Sequence, residues 1–343
     1  MNGRERVFAF LNKQPVDRIP NLSIIKATAA RLSNTPYGLY CTDYRYLVES
    51  YLGCCERFGI DTTNMMSDPL REAADFGASV IYKENHMPVL REVFIKDQKD
   101  IKKLKPYNPY EAPRSVNTCS GIKLFQERAG DRLIICGIAE MPFAEAATLR
   151  GVQNIMLDLY DDPAFVIEMM DIILETMKSY VTAQKIAGAD IMWFGDAAAS
   201  LVSPDSYAQY ILPYEQKLIK YAKDIGMITR LHICGNTSHL VDLMDESGAD
   251  IIDIDWMVDL RKTINTFGEQ TFIAGNLDPV AMYLTGNPGI IREKVFELAN
   301  MNCSTLIISS GCEIPRDSPV ENILAHVLAL EEFSALNRSR FIQ

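Results

Sequence analysis

The sequence predicts an α/β protein of the (β/α)8 TIM-type barrel class with an N-terminal helical extension, on three observations. From residue 131 onward, short apolar runs alternate with longer amphipathic stretches, the pattern of parallel strands joined by helices. The apolar runs are nearly continuous, as in strands covered on both faces. Each run ends in a polar cluster, and a barrel gathers such ends on one face, where its active sites lie. An open doubly wound sheet also binds ligands beyond its strand ends, so the clusters speak for a site more firmly than for closure.

Residues 1–13 read as a short amphipathic helix, with Arg4, Glu5 and Arg6 among apolar positions and no continuous apolar core of a signal peptide. A strand is expected at 19–25, a helix at 44–58, another strand at 79–83 and a proline-containing loop at 105–113. Beyond these, strands at 133–138, 190–194, 228–234, 251–254, 272–274 and 306–309 interleave with helices at 163–187, 204–225, 238–246, 260–267, 290–299 and 320–336. Two joints are spelled almost alike, Ala187-Gly188-Ala189-Asp190 and Ser247-Gly248-Ala249-Asp250. In each, glycine supplies the left-handed residue past a helix end and a strand follows at once. The chain is read as one barrel over 1–343, with 1–130 its irregular first part and 131–343 its regular units; a separate N-terminal domain is the alternative.

The 343 residues are 48% hydrophobic, enough for a sizeable core, and carry 34 basic against 45 acidic side chains for a net charge of −11. That acidic excess argues against nucleic acid and against an anionic membrane surface as partner. No apolar stretch approaches the ~18 residues of a membrane helix, and a soluble cytoplasmic enzyme is expected. Eight cysteines without a signal peptide are expected to be reduced, with Cys41, Cys54, Cys55, Cys119, Cys136 and Cys303 serving as small core residues.

Cys234 and Cys312 stand apart. In Leu231-His232-Ile233-Cys234-Gly235-Asn236, residues i and i+2 of a strand point to one side, so His232 and Cys234 can bind one ion together. Cys312, in Ser310-Gly311-Cys312-Glu313-Ile314-Pro315 after a later strand, can complete the set. One nitrogen and two sulfurs suit Zn²⁺, and three protein ligands leave the open position of a catalytic site. The His-x-Cys pair alone is equally compatible with plain burial; the distant Cys312 segment weighs toward a metal. His86, His239 and His326 lack such company and read as surface or satisfied core histidines, with His239 near enough in sequence to support the ligands. Asp253 and Asp255 are acid/base groups or loop caps, with nothing to separate the two readings. Asp196 opens onto Ala197-Ala198-Ala199-Ser200, small residues that leave room for a ligand, and Asn276 and Asp278 close a further strand.

These segments carry a resemblance. Residues 143–151, 187–196, 203–213, 231–237, Ala274-Gly275-Asn276-Leu277-Asp278-Pro279 and 310–322 resemble the uroporphyrinogen decarboxylase superfamily, and within it the zinc-dependent corrinoid methyltransferases of the methylcobamide:coenzyme M type. That branch is marked by H-x-C and a distant Cys at a spacing like that of Cys234 and Cys312. The resemblance implies zinc on His232, Cys234 and Cys312, with Asp196 and Asn276 orienting substrate and Asp255 and Asp278 in its binding site. It also implies transfer of a methyl group between a corrinoid (cobalamin) and a thiol or other heteroatom of a small molecule. Two departures matter. The decarboxylase branch grips its substrate with an N-terminal arginine-rich segment, where this chain reads Ile19-Pro20-Asn21-Leu22-Ser23-Ile24-Ile25-Lys26. Corrinoid-binding modules resemble D-x-H-x-x-G, but Arg230 stands where Asp would be, so the corrinoid is expected on a separate protein. The rival expectations are a metal-free tetrapyrrole decarboxylase and a barrel that only binds a tetrapyrrole or thiol.

Overall fold

The structure, a computed structural model, describes residues 1–337. Its strands are β1 (Thr62–Asn64), β2 (Val80–Lys83), β3 (His86–Leu90), β4 (Ile134–Glu140), β5 (Ile191–Gly195), β6 (Ile228–His232), β7 (Ile251–Ile254), β8 (Phe272–Leu277) and β9 (Leu306–Ser310). Seven of them form one parallel sheet in the order β1-β4-β5-β6-β7-β8-β9, with helices between successive strands, and the sheet curls into a TIM-type barrel. β2 and β3 make a separate antiparallel hairpin. The strand expected at 79–83 therefore lies outside the barrel, while β1, three short polar residues without an apolar run, went unforeseen.

The eighth stave is the extended segment at residues 19–26, which bridges β9 and β1. Its backbone is met by one carbonyl contact on each side, Asp61 N to Asn21 O at 2.9 Å and Ile314 N to Ile24 O at 2.8 Å. Leu22 N and Ile24 N donate instead to the hydroxyls of Ser309 (3.0 Å) and Ser310 (3.1 Å), and Ser310 N donates to Ser23 Oγ at 3.2 Å. Serine side chains thus intercept the groups that would form a ladder, and the strand expected at 19–25 is a closing strap without one.

Side chains alternate between the bore and the surrounding helices. At the amino end of the bore, Ile134, Cys136, Ile191, Ile251, Phe272 and Ile307 meet Val7 of the first helix, Gly3–Leu11. That helix starts on an Asn2/Glu5 capping box and is bolted to the barrel by Arg4, which bonds both oxygens of Asp190 at 2.5 and 2.8 Å. Asp61 at the foot of β1 draws in Arg6 (2.6 Å) and Arg18 (2.9 Å). The N-terminal helix therefore plugs the lower end, and chemistry is left to the carboxyl end.

Most of the second half follows its sequence pattern. Asp162 caps the helix Pro163–Ala187, and Gly188 ends it at φ 109°. Leu260–Phe267 and Val320–Leu336 coincide with the expected helices, whereas the helix expected at 238–246 shrinks to Val241–Asp245. No helix among the described residues is long and apolar enough to cross a membrane.

Candidate metal centre

His232 is the last residue of β6, Cys234 lies two positions on, and Cys312 follows β9 by two. Two strands, β7 and β8, separate these elements in the sheet, yet curvature brings their donor atoms together. His232 Nε2 is 3.0 Å from Cys234 Sγ and 3.7 Å from Cys312 Sγ, and the sulfurs are 3.9 Å apart. A tetrahedral ion with Zn–N near 2.05 Å and Zn–S near 2.3 Å needs roughly 3.6 Å between N and S and roughly 3.8 Å between sulfurs. The donor types and two of the three separations fit zinc, the His232–Cys234 pair being about 0.6 Å closer than an ion would hold it, and the imidazole is buried with the sulfurs half-buried. Gly235, at φ 89°, turns the chain away behind Cys234.

The imidazole is held from beneath. Its Nδ1 lies 3.2 Å from Asp253 Oδ2, leaving Nε2 for the centre. Asp253 in turn accepts two bonds from Arg230 Nε, at 2.8 and 3.0 Å. The guanidinium lies 4.4 Å from the centroid of the Trp193 ring and donates to Leu22 O of the closing strap at 3.1 Å. All of these side chains are buried. Burial works against the Asp253 charge, but Arg230 and His232 hold its pKa below the usual value. Burial also opposes charge on His232, yet Cys234, Asp253 and Cys312 together raise its pKa. The two sulfurs share a hydrogen bond, which together with His232 brings Cys312 down to about 4 while Cys234 is raised. A carboxylate behind a ligating histidine fixes its tautomer and strengthens it as a ligand.

The other residues expected at or near the site have partners or surroundings of their own. Asp196 has the opposite parity to the bore-facing Trp193 and Gly195; it is fully buried, facing Glu215 between barrel and helices. Burial and Glu215 raise its pKa well above the ordinary carboxylate value, and it makes no direct approach to the mouth. Asp255 binds the turn behind Cys234, accepting from Gly235 N and Trp256 N at 2.7 Å each, so the capping reading holds for it. Asp278 accepts from Val280 N and Ala281 N at 2.8 and 2.9 Å, another cap. Asn276 donates to Val258 O at 3.0 Å and, with Trp256, Asp278 and Leu298, lines a cleft of about 420 Å³ that includes none of the three ligands. His239 is exposed and contacts Val202 O at 3.0 Å, away from the centre.

His326 is a core histidine, its Nδ1 2.9 Å from Tyr283 Oη. Burial drops its pKa to about 3, so between that value and about 6.5 the unfolded chain binds a proton that the folded one does not. Its contribution to stability is complete above about pH 6.5 and is lost as the pH falls toward 3. Thermal melts should therefore show stability falling more steeply between pH 6.5 and pH 4 in the wild type than in His326→Gln, by up to ~1.4 kcal/mol per pH unit. Equal slopes would contradict a buried neutral imidazole.

The sequence reading missed a set of charged groups at the mouth. Lys26, ending the closing strap, binds Glu313 beside Cys312 at 2.7 Å. Arg71 bonds the Asp68 carbonyl and faces Glu72 at 3.2 Å and Glu140 at 3.5 Å. Burial pushes Glu140 up to about 7 against the pull of Arg71. Arg230 and Glu140 had a findable signal, since each sits two residues along its strand from an inward position. Arg71 comes from the irregular first third and had none.

A parallel barrel with an N, S, S donor set at its carboxyl face is the class of protein these features define. Residues 2–333 match the family profile of uroporphyrinogen decarboxylase (URO-D), and the chain belongs to that family. The methylcobamide:CoM methyltransferase MtbA of Methanosarcina acetivorans is 29% identical, covering 93% of this chain and 95% of that one. The uroporphyrinogen decarboxylase of Carboxydothermus hydrogenoformans is 25% identical, covering 92% and 98%. Among solved structures, a methyltransferase from Methanosarcina mazei superposes with a TM-score of 0.88 at 23% identity, covering 97% of this chain and 99% of that one. The last likeness bears on the fold alone, and the chain resembles both branches of its family at similar identity.

Proposed function

We propose that this protein is a zinc-dependent methyltransferase that moves a methyl group between a separate corrinoid protein and a thiol or other heteroatom of a small molecule. The observation that carries this reading is the donor set of His232, Cys234 and Cys312, one nitrogen and two half-buried sulfurs within reach of a single ion. Zinc bound there would supply Lewis acidity, favouring ionisation of a thiol or departure of a demethylated heteroatom at neutral pH. The chain's own residues do the positioning. Asp253 and Arg230 hold the imidazole so that Nε2 alone faces the centre. The Lys26–Glu313 pair ties the Cys312 loop to the closing strap, keeping the third donor in place as substrate enters. The D-x-H-x-x-G pattern of corrinoid-binding modules is broken at Arg230, two residues before His232, whose guanidinium is paired with Asp253. The corrinoid is therefore assigned to a partner, in keeping with the names of the methyltransferase relatives.

Metal analysis of purified protein tests the ligand set. Wild type should hold about one zinc per chain, and Cys312→Ser and His232→Ala should lose it while staying folded, because an open three-ligand site is not the folding nucleus. Full zinc with unchanged affinity in both variants would refute the assignment.

The decarboxylase reading is favoured by the 25% identical relative. Against it, three arginines in the first part of the chain are already engaged: Arg31 with the carbonyls of Arg316 and Ser318, Arg71 with Glu72, and Arg114 with Asp68. Guanidinium forks committed in this way give no bidentate hold on a substrate's carboxylates. Turnover of uroporphyrinogen should accordingly be negligible by chromatographic assay; substantial conversion by metal-stripped protein would overturn the methyltransferase reading.

A further inference from the structure

Six strands pair in one lateral row: Glu140, Gly195, His232, Asp253, Ala274 and Ile307. Glu140 and His232 thus flank Gly195 in the bore, each about 4.8 Å from it by strand spacing. Gly195 has no side chain to separate them, and a Cβ there would lie only 2.9 Å from Glu140 Oε2. The carboxylate is therefore laid over the glycine gap on the side of the metal centre, with Oε1 turned to Arg71 at 3.5 Å. Its side chain keeps 11% exposure, whereas that of its neighbour Glu72 keeps 1%.

From this placement we infer that Glu140 is the proton acceptor of the reaction, taking the proton from a substrate thiol at the centre and returning one to the heteroatom in the reverse direction. The inference rests on the functional reading given above. In the forward direction the S–H bond breaks, an O–H bond forms on Oε2, and sulfur keeps the electron pair. Sulfur uses that pair to form S–CH₃ as the Co–CH₃ bond breaks with its pair left on cobalt; the proton on Glu140 then leaves to water at the mouth. Charged groups facing the carboxylate are Arg71 and Glu72 from the helix Arg71–Asp75, Lys26 from the strap and His232 from β6. Their balance with burial puts Glu140 near neutrality, the range in which a carboxylate serves as base and acid alike.

The test compares zinc-loaded wild type with Glu140→Gln, using 2-mercaptoethanol as the thiol and methylcobalamin as the methyl donor. Stopped-flow mixing with a pH indicator at about pH 8 follows the proton set free as the thiol binds, while a free thiol is still mostly protonated. Both proteins should release about one proton per thiol, because Glu140 passes its proton on to water, but the variant should release it on the order of 10²-fold more slowly. The kcat for methyl transfer should fall on the order of 10²-fold in the variant at neutral pH, with zinc content and melting temperature unchanged. The gap should narrow above about pH 9, where the thiol ionises unaided. Glu140→Asp, which keeps the carboxylate but draws it back from the gap, should be intermediate and serves if the glutamine variant does not fold. Equal rates of proton release and equal kcat in wild type and Glu140→Gln, with zinc retained, would overturn the inference and leave the methyltransferase reading standing. A wild type that neither binds thiol nor transfers methyl would overturn both.

Discussion

Cys312→Ser is expected to abolish methyl transfer to within about 0.1% of the wild-type rate while leaving the barrel folded. A hydroxyl is not ionised at neutral pH and is a poor replacement for a thiolate on zinc, so the site loses both a ligand and a negative charge. If the ion contributes several kcal/mol to the transition state, its loss costs on the order of 10³-fold in rate. The fold has little reason to change. Cys312 lies beyond the end of β9, is half-buried, and shares its side-chain hydrogen bonds with His232 and Cys234; the backbone bond of Gly311 N to Leu277 O that anchors the loop is untouched. Cobalamin absorbance read alongside circular dichroism separates the two effects. A variant that unfolds would mark the metal as structural, and one that keeps its activity would remove Cys312 from the site.

Arg230→Met should be the most destabilising single change in the bore. It leaves Asp253 as a charge that is 2% exposed with only His232 beside it, and breaking a buried pair from one side typically costs ~3–5 kcal/mol. It also removes the guanidinium stacked on Trp193 and the bond to Leu22 O that holds the closing strap. The double variant Arg230→Met/Asp253→Leu should regain most of that stability in urea unfolding, because no lone charge remains. It should still bind zinc ~10- to 100-fold more weakly, since nothing then orients His232. A single variant as stable as wild type would mean that the pair is not sealed from water.

How far the sequence could be read follows from where local signals suffice. The apolar β5, β7 and β9 and the capped helices announce themselves by period and by punctuation, as Asp162 and Gly188 show at the two ends of one helix. The closing strap and β1 do not. The strap satisfies its backbone through serine hydroxyls 286 and 287 positions away, and β1 is three polar residues whose strand character comes only from pairing with β4. The donor set was legible because His232 and Cys234 obey the strand period and Cys312 sits in a distinctive turn. Three of the expected supporting carboxylates engage other partners for a common reason: sequence places a carboxylate at a strand end but does not say which way it faces. Asp196 fell on the outward parity, while Asp255 and Asp278 turned to nearby backbone amides. Extending the i, i+2 rule one step below His232, and one step past the expected end of β4, would have reached Arg230 and Glu140.

The most direct measurement follows the cobalamin spectrum after zinc-loaded and zinc-stripped protein are each mixed with a methylated corrinoid protein and a panel of small thiols. The same pair of preparations is mixed with the reduced corrinoid protein and a panel of methoxylated and methylated amine substrates. The expected result is loss or gain of the methyl–cobalt band in at least one panel, abolished on zinc removal and restored when zinc is returned. Silence in both panels with the corrinoid protein present, or a rate indifferent to zinc, would contradict the account.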